Sequence, residues 1–250
     1  MIRAIGMSKK TKIVAASVAG KLHFNNKMSC QDCYKHTFGK NLVAIVSDGA
    51  GSAKYGKIGA KAVCETLCDL LKNSNLRNIE SDIVNAIQVV RQKLLIHRFN
   101  KTKNEDGLAC FAATIVGVVY YKNKGVFFHI GDGAALALCE NIDFIASRPE
   151  NGNFSCETFF FTQDTWRENL RFTKIDKVKS ILLMSDGLTS FAFSRDFKDI
   201  EQKFVYPIND YLFNEKSCVK AKKALINTLK TPKAQQLNND DKTLVWIGGL

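Results

Sequence analysis

Short runs of apolar and β-branched residues, each bounded by polar residues or glycine, recur along this 250-residue chain. Runs of this kind are typical of buried β-strands. The segments are KIVAAS, LVAIVS, AATIVGVVYY, GVFFHIG, ALALC, SILLMS and TLVWIGG. We also predict a hairpin over YYKNKGVFF, with Asn123, Lys124 and Gly125 in its turn.

Two amphipathic helices are predicted between the LVAIVS and AATIVGVVYY strands, because apolar residues repeat there at helical spacing. These residues are Val63, Leu67, Leu70 and Leu71 in the first helix, and Ile83, Ile87, Val90 and Leu94 in the second. Two consecutive helices do not fit the strict βαβ alternation of a doubly wound fold. An α+β layered domain is therefore predicted, with a helical or mixed segment over 196–233 in which Pro207 and Pro232 end helices.

The chain carries a formal net charge of +12, which would suit a nucleic acid, an anionic surface or a phosphorylated substrate. Its lysines are spread along the chain and form no long basic tail, which favours a solvated basic surface. No linker, repeat or low-complexity tract divides the sequence. We therefore expect residues 1–250 to form a single domain.

Cysteine usage and hydropathy indicate a reduced, cytoplasmic setting. The eight cysteines lie mostly in apolar or helical patterns rather than in a small disulfide framework. A zinc site combining the Cys30 and Cys33 pair with Cys64 and Cys68 is disfavoured, since only an accident of folding would match them. No segment approaches the roughly 18 to 20 apolar residues needed to span a bilayer, so no membrane partner is expected.

Aspartates punctuate the predicted strands at several places. The motifs are SCQD with Asp32, VSDGAGS with Asp48, FHIGDGAAL with Asp132, LLMSDGLTS with Asp186, and NNDDKTLVWI with Asp240 and Asp241. A single aspartate after a strand is ordinarily a turn former. Carboxylates gathered at one place instead repel one another or bind a cation, and a set of oxygen ligands favours Mg²⁺ or Mn²⁺.

The order CQD, DGAGS, GDG, SDGL and DDKT resembles the metal-dependent serine/threonine protein phosphatases of the protein phosphatase 2C type, and most closely their divergent bacterial branch. The resemblance extends from about Val14 to Ile247. It implies a four-layer α-β-β-α sandwich, in which two central, mainly antiparallel β-sheets are flanked by helices. It also implies a two-metal site at one end of the sandwich.

The resemblance assigns a metal role to the motif residues. Asp48 would bridge two Mg²⁺ or Mn²⁺ ions, the Gly49 carbonyl would bind one of them, and Asp186 and Asp240 would complete the other's shell. Asp32 would hold a metal-bound water. A hydroxide between the two ions would then attack phosphorus without a covalent enzyme intermediate.

A third ion is left open by the sequence. Asp132 matches the ligand of a third, weaker ion in this family, but Ser190 stands where many members have a further aspartate for it. Gln31 replaces the glutamate that usually precedes the residue matching Asp32, and its amide could still hold a water.

Two further departures concern the substrate. Ala50 stands where eukaryotic members have a histidine proposed as general acid, and His23 is a candidate for that task. Lys27 replaces an arginine that grips phosphate, so it would bind as a point charge rather than bidentately. Lys27 and His23 are together the predicted phosphate-binding residues.

The predicted function is hydrolysis of phosphoserine and phosphothreonine in proteins, as the counterpart of a serine/threonine kinase. One alternative is a catalytically weak phosphoprotein-binding regulatory module, motivated by the departures at Lys27, Gln31, Ala50 and Ser190. A lower alternative is a basic, metal-dependent nucleic-acid-binding protein, although no nucleic-acid motif is visible.

Overall fold

Two antiparallel five-stranded sheets form the centre of the protein. The computed structural model describes residues 11–21, 23, 29–102, 107–140, 144–150 and 158–250. In chain order the strands are β1 (Lys12–Val18), β2 (Cys33–Phe38), β3 (Leu42–Ser47), β4 (Ile115–Tyr121), β5 (Lys124–Ile130), β6 (Ala134–Cys139), β7 (Phe144–Ser147), β8 (Arg171–Asp176), β9 (Val178–Met184) and β10 (Lys242–Gly248). The first sheet has the order β1-β10-β9-β6-β7, and the second has the order β2-β3-β4-β5-β8.

Helices cover the outer face of each sheet. They are α1 (Gly56–Leu71), α2 (Ile79–Thr102), α3 (Thr189–Ala192), α4 (Gln202–Asn214), α5 (Cys218–Leu229) and α6 (Pro232–Leu237). Helices α1 and α2 pack on the second sheet, whereas α4 and α5 pack on the first. None of the described helices is long and apolar enough to cross a membrane.

Three buried apolar layers separate these elements. Strand β3 directs Val43 and Ile45 toward α1 and α2, and directs Ala44 and Val46 toward the opposite sheet. Strand β10 alternates in the same way between the helices on its outer side and the layer between the sheets. Because both faces of these strands are covered, their sequences are continuously apolar rather than alternating. The predicted four-layer α-β-β-α sandwich is confirmed.

The hairpin turn lies earlier than the sequence indicates. Lys122 and Asn123 both have positive φ angles, 46° and 65°, which is the requirement of a two-residue type I′ turn. Gly125 is already in β5, opposite Tyr120. A Cβ on Gly125 would lie 2.6 Å from the Val119 carbonyl oxygen, so the glycine serves strand packing and not the turn.

The sequence misses β2, β7 and β8, which are edge strands or lie at the rim of a sheet. Strand β2, for example, is half-buried or exposed along its length and lacks a strong apolar pattern. The prediction that Pro207 ends a helix is wrong, because Pro207 lies inside α4. A proline there removes one backbone hydrogen bond, which the burial of Val205 and Leu212 offsets. Pro232 begins α6 instead of ending a helix.

Candidate metal centre

The strand ends bring the predicted aspartates to one end of the sandwich. Asp32 precedes β2 and Asp48 follows β3, and these antiparallel neighbours pair Cys33 with Ser47. On the other sheet, Asp186 follows β9 and Asp240 lies shortly before β10, which pair antiparallel. Asp132 lies in the connection from β5 to β6, which joins the two sheets. We call Asp32, Asp48, Asp132, Asp186 and Asp240 the aspartate cluster.

Burial and the charges of neighbouring aspartates both act on the carboxyl groups of the cluster. Burial raises the pKa of Asp48 well above its usual value, and the charges of Asp32, Asp186 and Asp240 raise it further. Burial likewise raises the pKa of Asp186, with added repulsion from Asp132, Asp240 and Asp32. That these carboxylates together hold metal ions stays a prediction of the sequence.

Two hydroxyl groups of the first sheet hold the carboxylate of Asp32. Ser185 directly follows β9, and Thr243 lies in β10. Ser185 Oγ and Thr243 Oγ1 donate hydrogen bonds to Asp32 Oδ2, at 2.8 and 2.6 Å. Burial raises the pKa of Asp32 from its usual 3.8 to about 6, against the opposing effect of these hydrogen bonds. Thr243 and Ser185 thus orient a carboxylate that would otherwise be unfavourable to bury.

The cluster has the properties of a hard-cation site. Asp32 Oδ1 and Asp186 Oδ1 are buried with no hydrogen-bond partner in the described part of the chain. Unpaired buried carboxylate oxygens are costly, and a divalent cation would compensate both their charge and their lone pairs. A set of aspartate oxygens and a backbone carbonyl fits Mg²⁺ or Mn²⁺ rather than a soft metal.

The segment after β3 is held by a short backbone ladder. Thr114 donates its amide to the Asp48 carbonyl at 2.9 Å, and Thr114 Oγ1 accepts from the Asp48 amide at 3.0 Å. The Ala50 amide donates to the Ala112 carbonyl at 2.9 Å. These bonds hold the residues on either side of Gly49 and do not use its carbonyl, which leaves that oxygen available to a cation.

The other residues singled out from the sequence lie in different surroundings. Asp132 accepts a 2.7 Å hydrogen bond from Thr158 Oγ1, and burial raises its pKa. Ser190 is exposed on α3. Lys27 lies outside the described residues. His23 is described, and its Nδ1 lies 2.9 Å from Asp241 Oδ1.

Two residues next to Asp240 were not predicted to act in the site. Asp241 is fully buried, and its carboxylate accepts hydrogen bonds from the backbone amides of Gly20 and Gln31 at 2.7 and 2.5 Å. Lys242 is also fully buried, and its Nζ donates to the carbonyls of Asn238 and Asp240, both at 2.7 Å. The sequence signal for Asp241 is a doubled aspartate, and the signal for Lys242 is a lysine at the start of an apolar strand.

Gly187 permits the turn after β9 to approach the turn before β10. A Cβ on Gly187 would lie 1.9 Å from the Asp241 carbonyl oxygen, which is backbone and cannot move aside cheaply. We expect Gly187→Ala to lower the free energy of unfolding by about 2 to 3 kcal/mol. Urea unfolding of this variant and of Gly51→Ala, whose Cβ meets nothing closer than 3.9 Å, provides the comparison. Equal stability of the two variants would contradict the steric argument.

The metal-free protein should lose stability as the pH rises from about 4 to about 6, because of Asp32. Its pKa is 3.8 when unfolded and about 6 when folded, so above pH 6 the native state must carry a buried charge. The contribution is fully present below pH 3.8 and lost through pH 6. Urea unfolding in a chelator should show this loss in free energy of unfolding, about 3 kcal/mol, in the wild type relative to Asp32→Asn. Identical pH dependence in both proteins would refute it.

Fold and site together define a candidate divalent-metal enzyme. The family model of protein phosphatase 2C matches residues 19–239. That match covers most of the sequence, so this chain belongs to the protein phosphatase 2C family. The expected family and the expected enzyme class, a metal-dependent phosphoprotein phosphatase, are confirmed.

Solved structures share this fold at low sequence identity. The serine/threonine phosphatase Stp1 from Staphylococcus aureus has a TM-score of 0.67 at 15% identity, covering 99% of this chain and 98% of its own. The S. agalactiae serine/threonine phosphatase has a TM-score of 0.68 at 14% identity, covering 96% of this chain and 99% of its own. The Mycobacterium tuberculosis phosphatase PstP/Ppp has a TM-score of 0.63 at 14% identity, covering 95% and 98%. A comparison with the curated proteins finds none that matches.

Proposed function

We propose that this protein hydrolyses phosphoserine and phosphothreonine in phosphorylated proteins, using two Mg²⁺ or Mn²⁺ ions at the aspartate cluster. The observation that carries the proposal is the convergence of buried carboxylates from both sheets, with unpaired oxygens on Asp32 and Asp186. Such an arrangement is unfavourable without cations, so it serves binding rather than stability.

Each aspartate has a part in this proposal. Asp48 would contact both ions, together with the Gly49 carbonyl, while Asp186 and Asp240 would hold one of them. Asp132 would contact a third ion, if one binds. When bound, the ions would make a hydroxide nucleophile available near neutral pH and would neutralise charge on the phosphoryl oxygens. Asp32, oriented by Ser185 and Thr243, would position a water in the site.

The charge of the chain agrees with a phosphorylated protein substrate. The net charge of +12 attracts anionic partners at long range, although it does not select among them. Several structural neighbours are serine or serine/threonine phosphatases, and we infer the same substrate class here. A serine/threonine kinase would supply such a substrate. Lys27 would add a cation for the phosphate.

We also infer that residues 1–250 act as one domain. Asp32 and Asp48 belong to the ends of the second sheet, whereas Asp186 and Asp240 belong to the first. The proposed site exists only where the two sheets are packed together, so neither sheet would function alone.

The test is phosphate release from phosphoserine and phosphothreonine peptides and from an aryl phosphate, with Mn²⁺ titrated against a chelator. We expect turnover that rises with Mn²⁺ and disappears in chelator. A folded protein that binds Mn²⁺ and retains phosphopeptide without releasing phosphate would contradict the proposal. That result would favour the phosphoprotein-binding module.

A further inference from the structure

The chain that follows Asp48 carries positive charge without any negative charge. Residues 49–64 contain Lys54, Lys57 and Lys61 and no aspartate or glutamate. All three lysines are exposed, and two of them lie in the first turns of helix α1. We call Lys57 and Lys61 the α1 lysines. A cationic surface therefore borders the side of the aspartate cluster on which Asp48 lies.

Contacts of Gly49 place the start of α1 against the candidate metal centre. A Cβ on Gly49 would lie 2.4 Å from the Gly56 carbonyl carbon and 2.7 Å from the Lys57 amide nitrogen. The residue before α1 is also anchored, because the Tyr55 amide donates to the Cys110 carbonyl at 2.8 Å. The backbone of the first turn of α1 is therefore held close to the segment that follows Asp48.

One side of α1 lies along strand β2. Cys64 Sγ is 3.5 Å from the Cys33 carbonyl oxygen, and Cys68 Sγ is 3.5 Å from the Lys35 carbonyl oxygen. Four residues of a helix and two residues of a strand both advance by about 6 to 7 Å, so the helix and the strand run side by side in the same direction. The turns of α1 before Cys64 therefore extend past the start of β2.

The α1 lysines lie on this same side of the helix. In a helix of about 3.6 residues per turn, positions 57, 61, 64 and 68 share one side. Lys57 precedes Cys64 by about 10 Å along the helix axis. Because β2 begins at Cys33, directly after Asp32, Lys57 lies at the end of the sandwich that holds the aspartate cluster.

Helix stability does not explain the α1 lysines. The first turn of α1 contains no acidic residue, and a cation near the N-terminus of a helix opposes the helix dipole. Lys61 forms only a weak pair with Glu65, at 3.9 Å between exposed side chains. Lys57 forms no ion pair with any residue that the structure describes. Both ammonium groups are therefore available to an anionic ligand.

We propose that the α1 lysines bind acidic residues that flank the phosphorylated serine or threonine of a substrate protein. This inference rests on the proposed phosphatase function and specifies the class of its substrates. The spacing of the lysines suits an extended peptide, because Lys57 and Lys61 are about 6 Å apart along the axis and alternate residues of an extended chain are about 6 to 7 Å apart. Two carboxylates at alternate positions pair with the two lysines while the phosphate lies at the aspartate cluster.

A general basic surface is the competing explanation, because lysines occur along the whole chain. Long-range attraction depends on net charge, whereas local pairing depends on which lysines are changed. Lys40 and Lys124 provide the matched control. Both are exposed, and they lie just before β3 and at the start of β5, at the opposite ends of these strands from Asp48 and Asp132.

The decisive experiment compares kcat/KM at saturating Mn²⁺ on phosphoserine peptides with glutamate, glutamine or lysine two to five positions from the phosphoserine. One set carries these residues on the N-terminal side and another on the C-terminal side. For the wild type we expect the glutamate peptide of one set to be preferred over the glutamine peptide about tenfold. This preference should decrease as the salt concentration rises.

Charge reversal should reverse the preference. The double variant Lys57→Glu with Lys61→Glu should favour the lysine peptide over the glutamate peptide, a gain that a misfolded protein would not show. The milder variant Lys57→Gln with Lys61→Gln should lose the preference without reversing it. Lys40→Glu with Lys124→Glu changes the net charge as much as the first double variant and should keep the preference for glutamate.

Three results would overturn the assignment. The first is a wild type that hydrolyses the glutamate and glutamine peptides of both sets equally well. The second is a preference lost to the same extent in both charge-reversed variants, which would make it an effect of net charge. The third is a preference that survives in Lys57→Gln with Lys61→Gln. Absence of aryl phosphate turnover in the wild type would instead defeat the proposed function itself.

Discussion

Replacing Asp48 by Asn is expected to reduce metal-dependent phosphate release on the order of a thousandfold. Asp48 is the carboxylate on which the repulsion of Asp32, Asp186 and Asp240 converges, and in the proposed site it contacts both ions. An amide keeps the shape of the side chain but loses the negative charge that the cations need. Steady-state rates at saturating Mn²⁺ give the measurement, with the exposed Asp69→Asn of α1 as the control.

The same substitution should stabilise the protein when no metal is present. Burial and three neighbouring aspartates disfavour the ionised form of Asp48, so Asn removes an unfavourable charge from the folded state. In urea unfolding with a chelator at neutral pH, Asp48→Asn should therefore have a higher free energy of unfolding than the wild type. A variant that is both inactive and less stable in chelator would indicate misfolding and would contradict the electrostatic argument.

Much of the fold is predictable because strands covered on both faces are continuously apolar. LVAIVS and TLVWIGG are recognisable for this reason, and they coincide with β3 and most of β10. The edge strand β2 is not recognisable from its CYKHTF sequence, since it pairs with β3 alone among the described strands and its residues are half-buried or exposed. Gly125 gives a false turn signal. The sequence pattern places this glycine in the hairpin turn, whereas it lies in β5, where the absence of a Cβ allows the close approach of the Val119 carbonyl.

The strand-end positions of the aspartates in the candidate site are predictable, whereas the residues that support them are not. Each aspartate stands at a strand end, which a linear pattern reveals. The hydroxyl groups of Ser185 and Thr243 reach Asp32 across 153 and 211 residues of sequence, and only the packing of the two sheets brings them together. Asp241 illustrates the same limit, since its partners Gly20 and Gln31 come from the opposite end of the chain.

Lys242 is the supporting residue whose removal should destabilise the protein most. Its buried Nζ binds the carbonyls of Asn238 and Asp240 and thereby fixes the turn that carries Asp240. Burial lowers its pKa, and the charges of Asp240, Asp241, Asp186 and Asp32 oppose that decrease. The ammonium group is therefore a built-in countercharge for the aspartates.

Lys242→Met should consequently lower the free energy of unfolding by about 3 kcal/mol in chelator, because two carbonyls lose their donor and the aspartates lose a cation. Methionine retains most of the volume, so the loss is not that of a cavity. Urea unfolding of Lys179→Met, an exposed lysine of β9, provides the matched control and should differ little from the wild type. Added Mn²⁺ should reduce the difference in free energy of unfolding between Lys242→Met and the wild type, since bound cations replace the missing charge. It should not abolish this difference, since the two carbonyls remain unpaired. If Lys242→Met loses little free energy of unfolding in chelator, or if Mn²⁺ leaves that loss unchanged, Lys242 does not act as a countercharge.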